Sequence, residues 1–495
     1  MNYQSTRNKS LSESASAVIL KGLSSEGGLF VPEYAPKLTA EEIAAFAKMT
    51  YADAAFQVLT LFLSDYTAEE LRLAADNAYG GNFSVDTISN LVKTNDGVHI
   101  LELWRGPTAA FKDMALQLLP YLLTGAAKKQ GGEPTTAILT ATSGDTGKAA
   151  LEGFKDMPNT KIMVFYPENG VSDMQKLQMQ TQEGGNVAVV AVRGNFDDCQ
   201  NAVKAIFADR DLEKELSNAG VRLSSANSIN WGRLAPQIVY YVKAYADLLK
   251  SGDIKPNGKV NFCVPTGNFG NILAAYYARL LGVPVNKLIC ASNRNNVLTE
   301  FINSGTYDRK REFFATASPS MDILISSNLE RLLYLLSDNN DEIISKWFTS
   351  LKENGNFTVT AEVKAKLDEL FYGGFVDDDG TKLIIKEVFD RYSYLLDTHT
   401  AVAYGVYKKY VEQTGDVTPT VITSTANPYK FTHSVYSALK GAEPTTDEFA
   451  AAEEIERMTG TVMPTRLKET RSKERRFTDV ADKEKLADKV REFLL

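Results

Sequence analysis

The sequence predicts an α/β protein in which mostly parallel sheets are flanked by helices. Short apolar runs at 136–141, 161–165, 187–192, 260–264 and 285–291 alternate with amphipathic segments, as in parallel strands joined by crossover helices. Two of these runs, and the stretch before Trp231, lead into loops rich in glycine or hydroxyl residues that open a helix. A chain of 495 residues also has material for two or three domains with substantial cores.

Taken in order, residues 12–34 read as a helix from Ala15 to Lys21, capped by Ser12 and stopped by Gly22. Gly27-Gly28 then turns the chain into the apolar run Leu29-Phe30-Val31. Helical periodicity over 38–95 completes an expected N-terminal domain, 1–95.

In Gly106-Pro107-Thr108-Ala109-Ala110-Phe111-Lys112-Asp113, Thr108 is a good N-cap, and apolar residues follow at 115, 118, 119 and 122. That spacing puts Lys112 in the first turn of a helix, where the dipole disfavours an ammonium and favours the neutral, nucleophilic amine. A surface lysine paired with Asp113 is the plain alternative.

The strand at 136–141 runs into Thr142-Ser143-Gly144-Asp145-Thr146-Gly147 and a helix. Free backbone N–H groups at such a turn suit a carboxylate, although simple capping by Asp145 or Thr146 accounts for the pattern too. A Walker A loop is excluded, since Thr142 and Ala149 replace its first glycine and its Ser/Thr. Gly267-Asn268-Phe269-Gly270-Asn271 precedes a helix over 272–281 and reads as a phosphate cradle without dinucleotide spacing. Asn227, Ser228 and Arg233 stand before another helix, with Pro236 in its first turn, as a second anion site or a capping cluster. The run 421–428 reads as a strand ending in hydroxyls.

Residues from 296 to about 395 read as a helical insertion. Asp377-Asp378-Asp379-Gly380 is not a calcium loop, because Phe375 and Lys386 would fill its first and twelfth positions; it reads as a surface turn. From 441 to 495 a charged tail carries Arg466, Lys468, Arg471, Lys473, Arg475 and Arg476 interleaved with Glu469 and Glu474, the pattern of a solvated helix.

Net charge is −8, which disfavours nucleic acid and membrane surfaces as partners. Three cysteines without C-x-x-C spacing argue for a reducing, cytoplasmic setting, and no His/Cys pattern suggests a metal. No apolar run is long enough to span a bilayer.

The lysine segment resembles that of threonine synthases, pyridoxal-phosphate (PLP) enzymes of the tryptophan-synthase-β fold type, with Arg105 where the family usually has histidine. Asn2–Arg7, Gly27–Pro32, Gly267–Asn271, Asp397–Ala403 and Thr425-Ala426-Asn427-Pro428 extend the resemblance to about residue 440, with Asn427 and Tyr429 departing from the usual His and Ala. The resemblance implies a two-lobed fold type II catalytic domain over 96–440 and Lys112 as the PLP-bearing base. It implies that Gly267, Asn268, Phe269, Gly270 and Asn271 hold the cofactor phosphate. Asp145, often Asn in relatives, would face the ring's 3′ oxygen, and Thr425 the ring nitrogen. Thr142, Ser143 and Thr146 would hold the substrate carboxylate, and Asn227, Ser228 and Arg233 the phosphate of O-phospho-L-homoserine. The expected reaction gives L-threonine and phosphate, by a monomer or homodimer. A phospholyase yielding 2-oxobutyrate and a non-catalytic ligand-binding homologue are the alternatives. His399 is expected near the site or as a structural histidine.

Overall fold

The computed structural model describes every residue except Asn95, Glu133 and Thr446. Two sheets dominate it. The larger runs Phe371–Phe375, Val285–Ser292, Val260–Pro265, Thr420–Ser424, His99–Glu102, Asn90–Lys93, with only the last pair antiparallel. The second runs Val480–Asp482, Val187–Arg193, Thr160–Pro167, Thr135–Ala141, Val221–Ser224, and is parallel throughout. Val260–Pro265 is buried along its whole length, as a central parallel strand covered on both faces must be.

The short strands are those that periodicity misses. Phe371–Phe375 is an edge strand with two glycines in place of packing residues. A Cβ on Gly374 would lie 2.8 Å from Val406 Cγ1, and one on Gly373 would lie 3.1 Å from the Thr299 backbone. These glycines let helices approach the strand from both faces. Val480–Asp482 comes from the tail, which is therefore not only a solvated helix. The tail also buries Leu486, Val490 and Leu494 in a cluster with Cys199, while Lys473 pairs with Glu183 at 2.9 Å.

At the N-terminus, Asn8–Glu13, Tyr3–Ser5 and Phe30–Pro32 form a small antiparallel sheet. Ser14, not Ser12, caps the helix Ala15–Lys21, and Gly22 ends it at φ 70°. The helix expected from Ala109 is broken into Asp113–Leu116 and Leu119–Lys129. Pro120 starts the second piece because it has no N–H for a continuing ladder. The helix Asp145–Phe154 also passes so closely that a Cβ on Gly153 would strike the Leu116 carbonyl. Asn230 caps Trp231–Ser251, which places Pro236 in its second turn rather than its first. Asp377 caps the helix Asp378–Tyr392, so the acidic run is a helix start and not a surface turn.

No helix among the described residues is long and apolar enough to cross a membrane. Among them, no group of three His, Cys, Asp or Glu side chains is placed to hold a metal. The loops that matter follow the carboxyl ends of parallel strands: 103–112, 142–147, 225–230, 266–269 and 425–430. Loops in that position are where open α/β sheets bind ligands.

Candidate active site

Lys112 is fixed by the end of the Thr420–Ser424 strand. Phe111 N–H donates to the Thr425 carbonyl at 2.8 Å, and Asn427 N–H to the Ala109 carbonyl at 3.0 Å. Lys112 is the N-cap of the short helix Asp113–Leu116, one position before the expected first turn. Its Nζ lies 3.4 Å from Ser320 Oγ and 3.7 Å from Asp145 Oδ2. Burial pulls its proton affinity down, Asp145 opposes this, and the charges of Lys430 and Arg233 pull it further down. Asp113 is not its partner. That carboxyl accepts from the Thr108 N–H and hydroxyl at 2.8 and 2.7 Å, and burial pushes its pKa up to about 6.

Asp145 meets a second buried lysine. Lys430 Nζ is 2.5 Å from Asp145 Oδ1, and Gln175 Nε2 donates to the same oxygen at 2.9 Å. Burial would raise this carboxyl's pKa, but Lys430 and Lys112 outweigh burial and hold it well below the usual range. Lys430 and Gln175 were not singled out from sequence. The signal for the first is slight, a lysine set between the aromatics Tyr429 and Phe431.

The 267–271 loop opens the helix Gly270–Leu281, with Phe269 as N-cap in the left-handed region at φ 63°. Ser326 Oγ donates to the Gly267 carbonyl at 2.6 Å, and Asn328 binds the Asn268 carbonyl through N–H and Nδ2. Tyr240 and Tyr241 hydroxyls both donate to Asn271 Oδ1, and Asn271 Nδ2 is buried with no partner. A buried donor without an acceptor at a helix N-terminus fits an anion.

Arg233 starts the helix Trp231–Ser251 and is buried. Nη1 donates to the Ala226 carbonyl at 2.6 Å, Nε has no partner, and among the described residues no carboxylate pairs with it. Burial brings its pKa down to about 10. Ser228 is half-buried beside it in sequence, and Asn227 is exposed. One strut joins the 267–271 loop and the loop before Trp231. Asn328 Nδ2 also reaches the Ser228 carbonyl at 3.2 Å, and Arg331 binds Asn328 Oδ1, the Ile229 carbonyl and the Phe30 carbonyl.

The remaining residues take varied parts. Thr142 Oγ1 accepts from Gly144 and Gly147 N–H at 3.0 and 2.8 Å, so it shapes its loop, while Ser143 and Thr146 stay half-exposed. Thr425 is buried beside the lysine segment. Arg105 pairs with Glu102 at 2.6 Å and lies over the Trp104 ring. Asn427 Oδ1 accepts from Tyr429 N–H, capping the turn that carries Lys430. His399 Nε2 accepts the Ser320 N–H at 3.2 Å, leaving Nδ1–H for Asp397 at 3.0 Å, so it supports the residue that meets Lys112.

Three known families match along the chain: "Threonine synthase N terminus" over 2–79, "Pyridoxal-phosphate dependent enzyme" over 83–346, and "Threonine synthase, C-terminal" over 400–493. Human threonine synthase-like 1 is 41% identical over 435 residues, 86% of this chain but only 58% of that protein's length. Threonine synthase of Pseudomonas aeruginosa is 40% identical over 445 residues, 90% of this chain and 92% of that one. The PLP-bound threonine synthase of Brucella melitensis superposes with a TM-score of 0.88 at 36% identity, covering 100% of this chain and 99% of that one. The cofactor is pyridoxal phosphate, and the residues fit it: a buried amine with lowered proton affinity, and a helix start whose Asn271 donor lacks an acceptor. Site chemistry, family matches and fold agree that the chain belongs to the threonine synthase family of pyridoxal-phosphate-dependent enzymes.

Proposed function

We propose that the chain converts O-phospho-L-homoserine and water to L-threonine and phosphate. The observation that carries this reading is Arg233, a buried guanidinium with an unpartnered Nε, at the start of a different helix from the one the Gly267 loop opens. One phosphate site serves the cofactor; a second calls for a phosphorylated substrate.

Pyridoxal phosphate, when bound, supplies the electron sink for charge developing at the substrate α-carbon. Lys112 would hold the cofactor, and as a free amine it would take the α-proton, a role that its depressed proton affinity supports. The N–H groups at the start of Gly270–Leu281, with Asn271 Nδ2, hold the cofactor phosphate. Thr425 would face the ring nitrogen, and Asp145 the 3′ oxygen. Ser143 and Thr146 hold the substrate carboxylate, and Thr142 keeps their loop in shape. Arg233, with Asn227 and Ser228, holds the substrate phosphate and offsets charge on it as it leaves. Three free, buried cysteines support the reading of a reducing, cytoplasmic setting.

The test is product identity. Incubation with O-phospho-L-homoserine should release phosphate and L-threonine in equal amounts. Phosphate with 2-oxobutyrate would move the chain to a phospholyase, and no turnover by PLP-loaded protein would overturn the catalytic reading.

A further inference from the structure

Two lysines share one buried carboxylate in this site, and they share it unequally. Lys430 is fully buried, with Nζ 2.5 Å from Asp145 Oδ1 and 3.0 Å from the Thr108 carbonyl. Gln175 Nε2 occupies the same oxygen at 2.9 Å. Lys112 is left with Oδ2 at 3.7 Å, beyond hydrogen-bond range. Thr108 ties the arrangement together, since its carbonyl anchors Lys430 while its N–H and hydroxyl hold Asp113.

A lone buried carboxylate beside an amine stabilises the ammonium form. A carboxylate already matched by a closer ammonium does so much less, because the pair has no net charge. We propose that Lys430 is the standing counter-ion of Asp145, and that it thereby leaves Lys112 as a free amine instead of an ammonium. Lys430 acts through Asp145 and is a positioning residue, not a catalytic one. The inference rests on the reading of Lys112 as the reacting amine.

The charged groups that act on Lys112 come from three elements. Asp145 begins one helix, Arg233 lies in the first turn of another and Lys430 in the turn 428–430, while Asp113, next in the chain, is held by Thr108 instead. His399 stands behind Ser320 through its backbone. Of these, Asp145 is the anion that favours the Lys112 ammonium, while Lys430 and Arg233 disfavour it.

The experiment measures the titration of Lys112 in the cofactor-free full chain. Trace acetic anhydride is applied across pH and the label is read on the Lys112 peptide by mass spectrometry. Lys430→Met should raise the midpoint by at least about one pH unit, roughly tenfold less free amine at a given pH below it. Asp145→Asn should lower it, because Lys430 then faces Lys112 without a matching anion. The double variant should return toward the parent. If Lys430→Met does not fold, the fall in Asp145→Asn and its reversal in the double variant decide the matter. Unchanged midpoints in the variants that fold, or shifts of the same sign in both single variants, would overturn the proposal. Borohydride reduction of PLP-loaded parent separates the two ideas: label away from Lys112 sinks the reading of the reacting amine, not the pairing of Lys430 with Asp145.

Discussion

Arg233 shows how a single residue becomes interpretable only when its surroundings are known. A positive charge before a helix fits a salt bridge or a capping cluster as well as a ligand site. Burial without a carboxylate partner among the described residues removes the first option. A buried guanidinium bound only to the Ala226 carbonyl holds charge that a ligand can match. Arg233→Ala should therefore keep the PLP spectrum and lose about 2–5 kcal/mol of substrate binding, roughly 30-fold to a few thousand-fold in kcat/KM for O-phospho-L-homoserine. Inorganic phosphate should inhibit the parent competitively and the variant hardly at all. Normal kinetics, or loss of PLP with substrate affinity intact, would contradict the assignment. Lys430 teaches the opposite lesson. It lies far from Asp145 in sequence, and no local pattern pairs the two.

At the scale of elements, the 267–271 loop separates protein strain from ligand approach. A Cβ on Gly267 would lie 2.7 Å from the Ser320 carbonyl oxygen, and Ser320 is held by His399, so the neighbour cannot easily give way. Gly267→Ala should lower the stability of the cofactor-free chain by about 1–3 kcal/mol, measured by denaturant unfolding. A Cβ on Gly270 would meet only Asn328 Nδ2 at 3.4 Å. Gly270→Ala should leave that stability near the parent's and weaken PLP retention, because the backbone N–H groups there lose close approach. If Gly270→Ala holds PLP as tightly as the parent, the phosphate is bound elsewhere. The long strands were legible because parallel burial demands continuous apolar runs such as Val260–Pro265. The broken helix after Lys112 was not, since its apolar spacing continues through Pro120, and the crossing at Gly153 that adds to the proline's effect comes from a distant segment.

Across the whole molecule, loops from both sheets and the turn Pro319–Met321 meet at one amine. Phe111 is fixed by Thr425 from the larger sheet, Asp145 follows a strand of the smaller one, and Ser320 lies in the turn Pro319–Met321. The sequence carried the lysine segment and the two loops that open Trp231–Ser251 and Gly270–Leu281, because glycine, hydroxyl and arginine patterns before helices are local. It did not carry the Asn328–Arg331 strut, the Ser320–His399 support or the Lys430–Asp145 pair, because each joins residues far apart in the chain. Selectivity among all the lysines of the molecule is therefore the most direct test. PLP-loaded protein reduced with borohydride, digested and mapped by mass spectrometry should carry the phosphopyridoxyl group on Lys112. The group on Lys430, the other lysine beside Asp145, or on any surface lysine, would contradict the account.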